Sequence, residues 1–233
     1  MEPTRIPRVK ICCISSIDEA RMAIECGAAA LGLVSEMPSG PGVISEEEIA
    51  EIAATIPPPI GSFLLTSRQD VGKIVEQHRR CRTNVIQLCD RLASGSPQDL
   101  KQALPGVSVV QVIHVTGPES VEEAIAVASG VDAILLDSGD QSLAVKELGG
   151  TGRRHDWTLS RKIREQLSVP IFLAGGLKAD NVGEAIESVA PFGLDLCSGV
   201  RTNGKLDRHK LVQFFAAVKS GQGRHVDTLQ NAG

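Results

Sequence analysis

Eight short apolar runs, each followed by an amphipathic stretch, repeat along almost the whole chain, and this alternation restricts the fold more than any other feature. The runs are VKICCI (9–14), AALGLVS (29–35), IGSFLLT (60–66), NVIQLC (84–89), SVVQVIHV (108–115), DAILLD (132–137), VPIFLAG (169–175) and FGLDLCS (192–198). Most are nearly continuous rather than alternating, as parallel strands covered on both faces are. The stretches between them read as helices. Segment 16–27 places Ile17, Ala20, Ala23 and Ile24 on one face and stops at Gly27, and 45–56 opens with a serine cap and early carboxylates. Segments 70–80, 96–104, 120–129, 156–167, 179–189 and 207–218 follow the same logic. An open doubly wound sheet is the competing arrangement. Eight strands alternating with eight helices favour a closed parallel (β/α)8 barrel, the TIM barrel of the α/β class, expected over residues 1–220. The length of 233 residues suits it, since such barrels typically have about 250.

Composition narrows the partners. Hydrophobic residues make up 42% and charged residues 22%, ordinary for a globular protein. A net charge of −4 with no basic tract argues against nucleic acid or an anionic membrane. With one Trp and no Tyr, the core must be built from Val, Ile, Leu and Ala. Cys12, Cys13, Cys26, Cys81, Cys89 and Cys197 form no CxxC pair, and the histidines are scattered, so reduced thiols are expected and no metal site. The first residues lack the apolar run of a signal peptide, and no stretch is long and apolar enough to span a membrane. A cytoplasmic monomer or homodimer is the expectation. Residues 221–233 lack a hydrophobic face and are expected to form a flexible tail.

Chemistry concentrates at strand ends. Three glycine-bearing segments, GGTG (149–152), LAGGL (173–177) and CSGV (197–200), follow the sixth, seventh and eighth runs. Glycine lets backbone amides approach an anion, and the loops after strands seven and eight are the usual phosphate site of these barrels. Gly150, Thr151, Gly152, Gly175, Gly176, Ser198 and Gly199 are therefore the expected phosphate-binding residues. Cys12 and Asp137 stand at or near strand ends on the active face and are the acid–base candidates. If the pleat persists, Cys13 points the other way, so one of the two cysteines faces the mouth but not both. His114 ends the fifth run and could face the mouth or serve as a structural residue. The loop 138–155 is long, and at the C-terminal end of a barrel strand such length suggests function.

The ordered segments VKICCI, ALGLVS, VIQLCD, ILLDS, GGTGRRHDW, IFLAGGLKADNV and FGLDLCSGVRTNGKLD resemble those of the phosphoribosylanthranilate isomerase family from residue 9 to about 207. The resemblance implies an Amadori rearrangement in tryptophan biosynthesis, without metal or organic cofactor. It implies Cys12 as general base and Asp137 as general acid, acting on a small phosphorylated substrate. Gln87, Asp195, Arg154 and Arg201 are its expected substrate contacts. The sequence departs from the family at four places. The family's Gly after the catalytic Cys is Cys13, and its Ser-Pro-Arg segment is replaced by 37–45, where the Arg falls on Pro41 or Gly42. Its Gln-Leu-His-Gly reads Gln87, Leu88, Cys89, Asp90, and its Glu after Ser-Gly-Val is Arg201. The phosphate half is kept and the aromatic-acid half altered. A buried carboxylate needs a partner, and of the two remaining candidates Arg201 is preferred over Arg154. Two other functions fit the same residues: an enzyme acting on another phosphosugar or phosphorylated metabolite, and a non-catalytic barrel that binds a phosphorylated ligand.

Overall fold

The computed structural model describes residues 6–221, so the expected tail, from residue 222 onward, lies outside the described residues. Eight parallel strands close into a barrel in chain order: β1 (Arg8–Ile11), β2 (Ala30–Val34), β3 (Gly61–Thr66), β4 (Val85–Leu88), β5 (Ser108–His114), β6 (Ala133–Asp137), β7 (Ile171–Leu173) and β8 (Gly193–Leu196). β8 closes on β1 with Arg8 opposite Gly193 and Ile11 opposite Leu196. The helices are α1 (Ile17–Cys26), α2 (Glu46–Thr55), α3 (Val71–Cys81), α4 (Pro97–Ala103), α5 (Glu119–Ala128), α6 (Trp157–Gln166), α7 (Val182–Val189) and α8 (Arg208–Ser220). A hairpin, β9 (Arg201–Thr202) and β10 (Lys205–Leu206), precedes α8.

Local chemistry explains the boundaries. Ser16, Ser45, Asp70, Ser96, Asp156 and Asp207 each cap a helix by accepting a backbone N–H, and Ser45 with Glu48 and Ser96 with Asp99 complete capping boxes. Side chains along each strand then divide between two apolar clusters. Ile11, Leu31, Leu33, Leu64, Ile86, Leu136 and Leu194 meet helix residues such as Ala23, Ile49, Ile74, Ile163 and Phe214 outside the sheet. Ala30, Phe63, Leu65, Val110, Val112, Ala133, Leu135 and Phe172 fill the barrel interior.

Strands are shorter than their apolar runs at the C-terminal end. β1 stops at Ile11, β7 at Leu173 and β8 at Leu196, yet Cys12, Cys13 and Ala174 beyond them are buried and Cys197 is half-buried. These residues line the mouth just past the strand ends, where Cys12 and Ala174 still donate to the neighbouring strands. Cys13 is the sharpest example. Its φ is +61°, the left-handed region, while Cys12 still donates its N–H to Leu196 O at 2.9 Å and Ile14 to Gly32 O at 3.0 Å. One left-handed residue between two paired neighbours breaks the pleat. Cys12 and Cys13 therefore both line the mouth, correcting the expectation that only one could. A left-handed position costs a side chain about 1–2 kcal/mol, which explains why glycine suits this place and cysteine is unusual there.

Candidate active site

The floor of the mouth is ionic. Lys10 of β1 is completely buried and donates to Asp195 Oδ1 of β8 at 2.9 Å, with its ammonium 5.1 Å from the Phe63 ring centroid. Burial opposes the lysine charge, but Asp195 and then the Cys12 sulfur outweigh it and raise the Lys10 pKa. Burial pushes the Asp195 carboxyl upward, against the attraction of Lys10. A Cβ on Gly32 would stand 2.8 Å from Cys12 Sγ and 3.1 Å from Lys10 Nζ, so the missing side chain leaves room for both. Sulfur and ammonium thus share one corner. The sequence reading missed this pair, although a lysine and an aspartate inside apolar runs are its signal.

Above the floor lies an open cleft whose space, solvent at its mouth included, is about 700 Å³. Cys12 and Asp137 line it together. Asp137 Oδ1 accepts the Ser138 N–H at 2.7 Å, and Oδ2 lies where a Cβ on Gly149 would stand 2.6 Å away. Gln87 also lines the cleft, and its buried Oε1 has no partner.

All seven expected phosphate residues border the same cleft. Their loops touch one another in a triangle. A Cβ on Gly176 would come within 3.0 Å of Gly152 O, one on Gly199 within 2.1 Å of Leu177 O, and one on Gly152 within 3.4 Å of Ser198 Oγ. The first two approaches leave no space for a side chain without backbone movement. Thr151 Oγ1 and Ser138 Oγ share a hydrogen bond at 2.7 Å that ties the β6 loop to its strand. Beneath this corner His155 is buried, with Nε2 2.7 Å from Ser160 Oγ and Nδ1 against Gly175. Burial lowers its pKa from the ordinary 6.5 to about 4, so it is neutral at pH 7.

The long β6–α6 loop closes over the other side. Lys146 O accepts from Ser39 Oγ at 2.7 Å, and Lys146 Nζ pairs with Asp90 at 2.6 Å. Apolar walls come from Val34, Met37, Leu65 and Leu148. Cys13 occupies the space in front of Gly42, where a Cβ would stand 2.5 Å from Cys13 Cβ. The neighbouring Cys12 and Cys197 thiols and burial raise the pKa of Cys13, whereas Cys13 and Arg201 lower that of Cys197. All six cysteines are free thiols. His114 is buried, with Nε2 3.1 Å from Cys89 O, and does not line the cleft.

Neither expected arginine lines the cleft. Arg201 forks onto Glu19 at 2.9 and 3.0 Å and also donates to Cys13 O, Cys12 O and Gly204 O. It anchors the loop after β1 instead of facing substrate. Burial opposes the charge of Glu19, but Arg201 and the Leu206 N–H lower its pKa on balance. Arg154 forks onto Glu184 at 2.6 and 3.1 Å, with its guanidinium carbon 3.5 Å from the Trp157 ring centroid. Arg201, the preferred candidate, is thus engaged by Glu19 and the loop after β1, and Arg154 by Glu184. Among the described residues, no cluster of three His, Cys, Asp or Glu side chains could hold a metal ion, and no helix is long and apolar enough to cross a membrane.

A closed (β/α)8 barrel with a cleft at the C-terminal ends of its strands, where enzymes of this fold carry their active sites, defines the class. The family model described as N-(5'phosphoribosyl)anthranilate (PRA) isomerase matches residues 9–217, and the chain belongs to that isomerase family. Among its relatives is N-(5'-phosphoribosyl)anthranilate isomerase 2 of Methanosarcina mazei, 35% identical over 215 residues, which are 91% of this chain and 94% of that protein. The solved structure of phosphoribosyl anthranilate isomerase from Thermococcus kodakaraensis is 32% identical, with a TM-score of 0.73 over 92% of this chain and 99% of that one. A phosphoribosyl anthranilate isomerase in complex with reduced 1-(o-carboxyphenylamino)-1-deoxyribulose 5-phosphate is 27% identical, with a TM-score of 0.73 over 92% of this chain and all of that one.

Proposed function

We propose that this chain catalyses the Amadori rearrangement of N-(5'-phosphoribosyl)anthranilate in tryptophan biosynthesis, with Cys12 as general base and Asp137 as general acid. The observation that carries the reading is the convergence of these two side chains and the three glycine loops on one cleft. Amides of the β6, β7 and β8 loops hold the phosphate, as dipoles at close backbone approach favour an anion. Asp137 gives its proton to the ribose ring oxygen. The C1–O bond breaks and the nitrogen lone pair forms an iminium. The Cys12 thiolate, beside the Lys10 ammonium, then takes the C2 proton, and the freed electron pair makes the enolamine. Ketonisation moves a proton from the C2 hydroxyl to C1, and exchange with solvent resets both groups. No atom is gained or lost. Gln87, with its free buried oxygen, contacts the substrate. Asp195 acts through Lys10, which it holds charged. The test is turnover of N-(5'-phosphoribosyl)anthranilate by the purified chain, followed as loss of substrate. No conversion above the uncatalysed rate, with the barrel folded, would overturn the proposal.

A further inference from the structure

The two ends of the cleft offer a ligand very different chemistry. At the glycine end, backbone amides await an anion. At the other end stand Val34, Met37, Leu65 and Leu148, and the charged side chains lining the cleft as a whole are Asp137 and Asp195, both acids. No lysine, arginine or histidine among the described residues lines it. Five cations around it are already paired: Lys10 with Asp195, Lys146 with Asp90, Arg153 with Glu147, Arg154 with Glu184 and Arg201 with Glu19. A carboxylate pressed against this wall would lose its water and gain no opposite charge. An uncharged ring would gain apolar contact without that cost. Cys13 adds to the effect, because its Cβ leaves no room for a side chain on Gly42 to reach in.

We infer that the site takes N-(5'-phosphoribosyl)arylamines as a class and does not read a carboxylate on the ring. When the acid is present, it is left in solvent at the cleft opening. The inference rests on the isomerase reading above and narrows it to what the pocket selects. The ribose phosphate supplies recognition, the ring supplies apolar contact, and the acid supplies neither. The chemistry does not need the acid, since ring opening and proton transfer involve the nitrogen, C1 and C2.

The experiment is calorimetric titration of the wild-type protein with two product analogues, reduced 1-(o-carboxyphenylamino)-1-deoxyribulose 5-phosphate and its counterpart lacking the carboxyl group. Turnover of N-(5'-phosphoribosyl)anthranilate is measured alongside. The expected result is turnover with two Kd values within about threefold of each other, well below the tenfold or more that a hydrogen-bonded charge contributes. Turnover together with at least tenfold tighter binding of the acid form, by the same standard, overturns this inference and leaves the isomerase reading standing. Absence of turnover and of binding by either analogue overturns both.

Discussion

The glycine-loop end and the apolar end of the cleft are built from different materials. The glycine-loop end is backbone: three loops pack so closely that Gly199 has no room for a Cβ and left-handed Gly176 only if its neighbour shifts, and the expected ligands are amides. The apolar end is side chains: Met37, Leu148 and Cys13 set its shape, and among the described residues its wall holds no cation. A backbone site depends on loop geometry and tolerates little change. A side-chain site can be rewritten by one substitution while the barrel stays intact. The same family fold can therefore keep one end and alter the other.

The largest effects should fall on the chemistry shared by both ends. Cys12→Ser and Asp137→Asn should each lower kcat at least about a hundredfold, the lower range of acid–base contributions. A harmless Cys12→Ser combined with a crippling Cys13→Ser would move the base by one residue, since both thiols reach the cleft. Next comes the contrast between the ends. Gly199→Ala, which drives a Cβ toward Leu177 O, should raise KM about ten- to a hundredfold through lost amide contacts to the phosphate. Leu148→Ala should raise it only a few-fold, because it removes part of an apolar wall. Equal effects would erase the distinction.

Acid should loosen the glycine-loop end first. His155 lies beneath Gly175 with its pKa lowered to about 4, so between pH 6.5 and 4 the unfolded chain binds the proton and the folded chain does not. Its contribution is full above pH 6.5 and is lost as pH falls toward 4, with a loss of about 3 kcal/mol. His155→Gln, which cannot titrate there, should flatten the difference between urea midpoints at pH 7 and pH 4.5. A difference as steep as in wild type would place the acid sensitivity elsewhere. The smallest effect belongs to the apolar end. Cys13 is left-handed, so Cys13→Gly should be more stable than Cys13→Ala by about 1 kcal/mol in thermal melts. The reverse order would mean that packing, not backbone conformation, governs this position.

Much of this was legible beforehand, for identifiable reasons. The apolar runs announced eight strands, and the serine and aspartate caps announced the helices. They overstated strand length at residues 12–14, 174–175 and 197–198, because an apolar run continues into the turns at the mouth as readily as along a strand. The glycine segments marked the loops that meet at the cleft because missing side chains are visible as letters. Lys10 was overlooked because its only local sign was one charge in an apolar run.

The sequence by itself determined the element order, the closed barrel and the placement of Cys12 and Asp137 at strand ends, since periodicity, caps and glycines act within a few residues. Tertiary structure decided what the charges do. Lys10 meets Asp195 across 185 residues, and Arg201 meets Glu19 across 182. It also decided that Cys13 shares the mouth with Cys12, because that follows from a left-handed backbone bonded on either side to neighbouring strands. An arginine reads the same in the sequence whether it faces a ligand or a glutamate. Only the neighbours brought in by folding distinguish the two, because a charge takes the partner that offsets its desolvation.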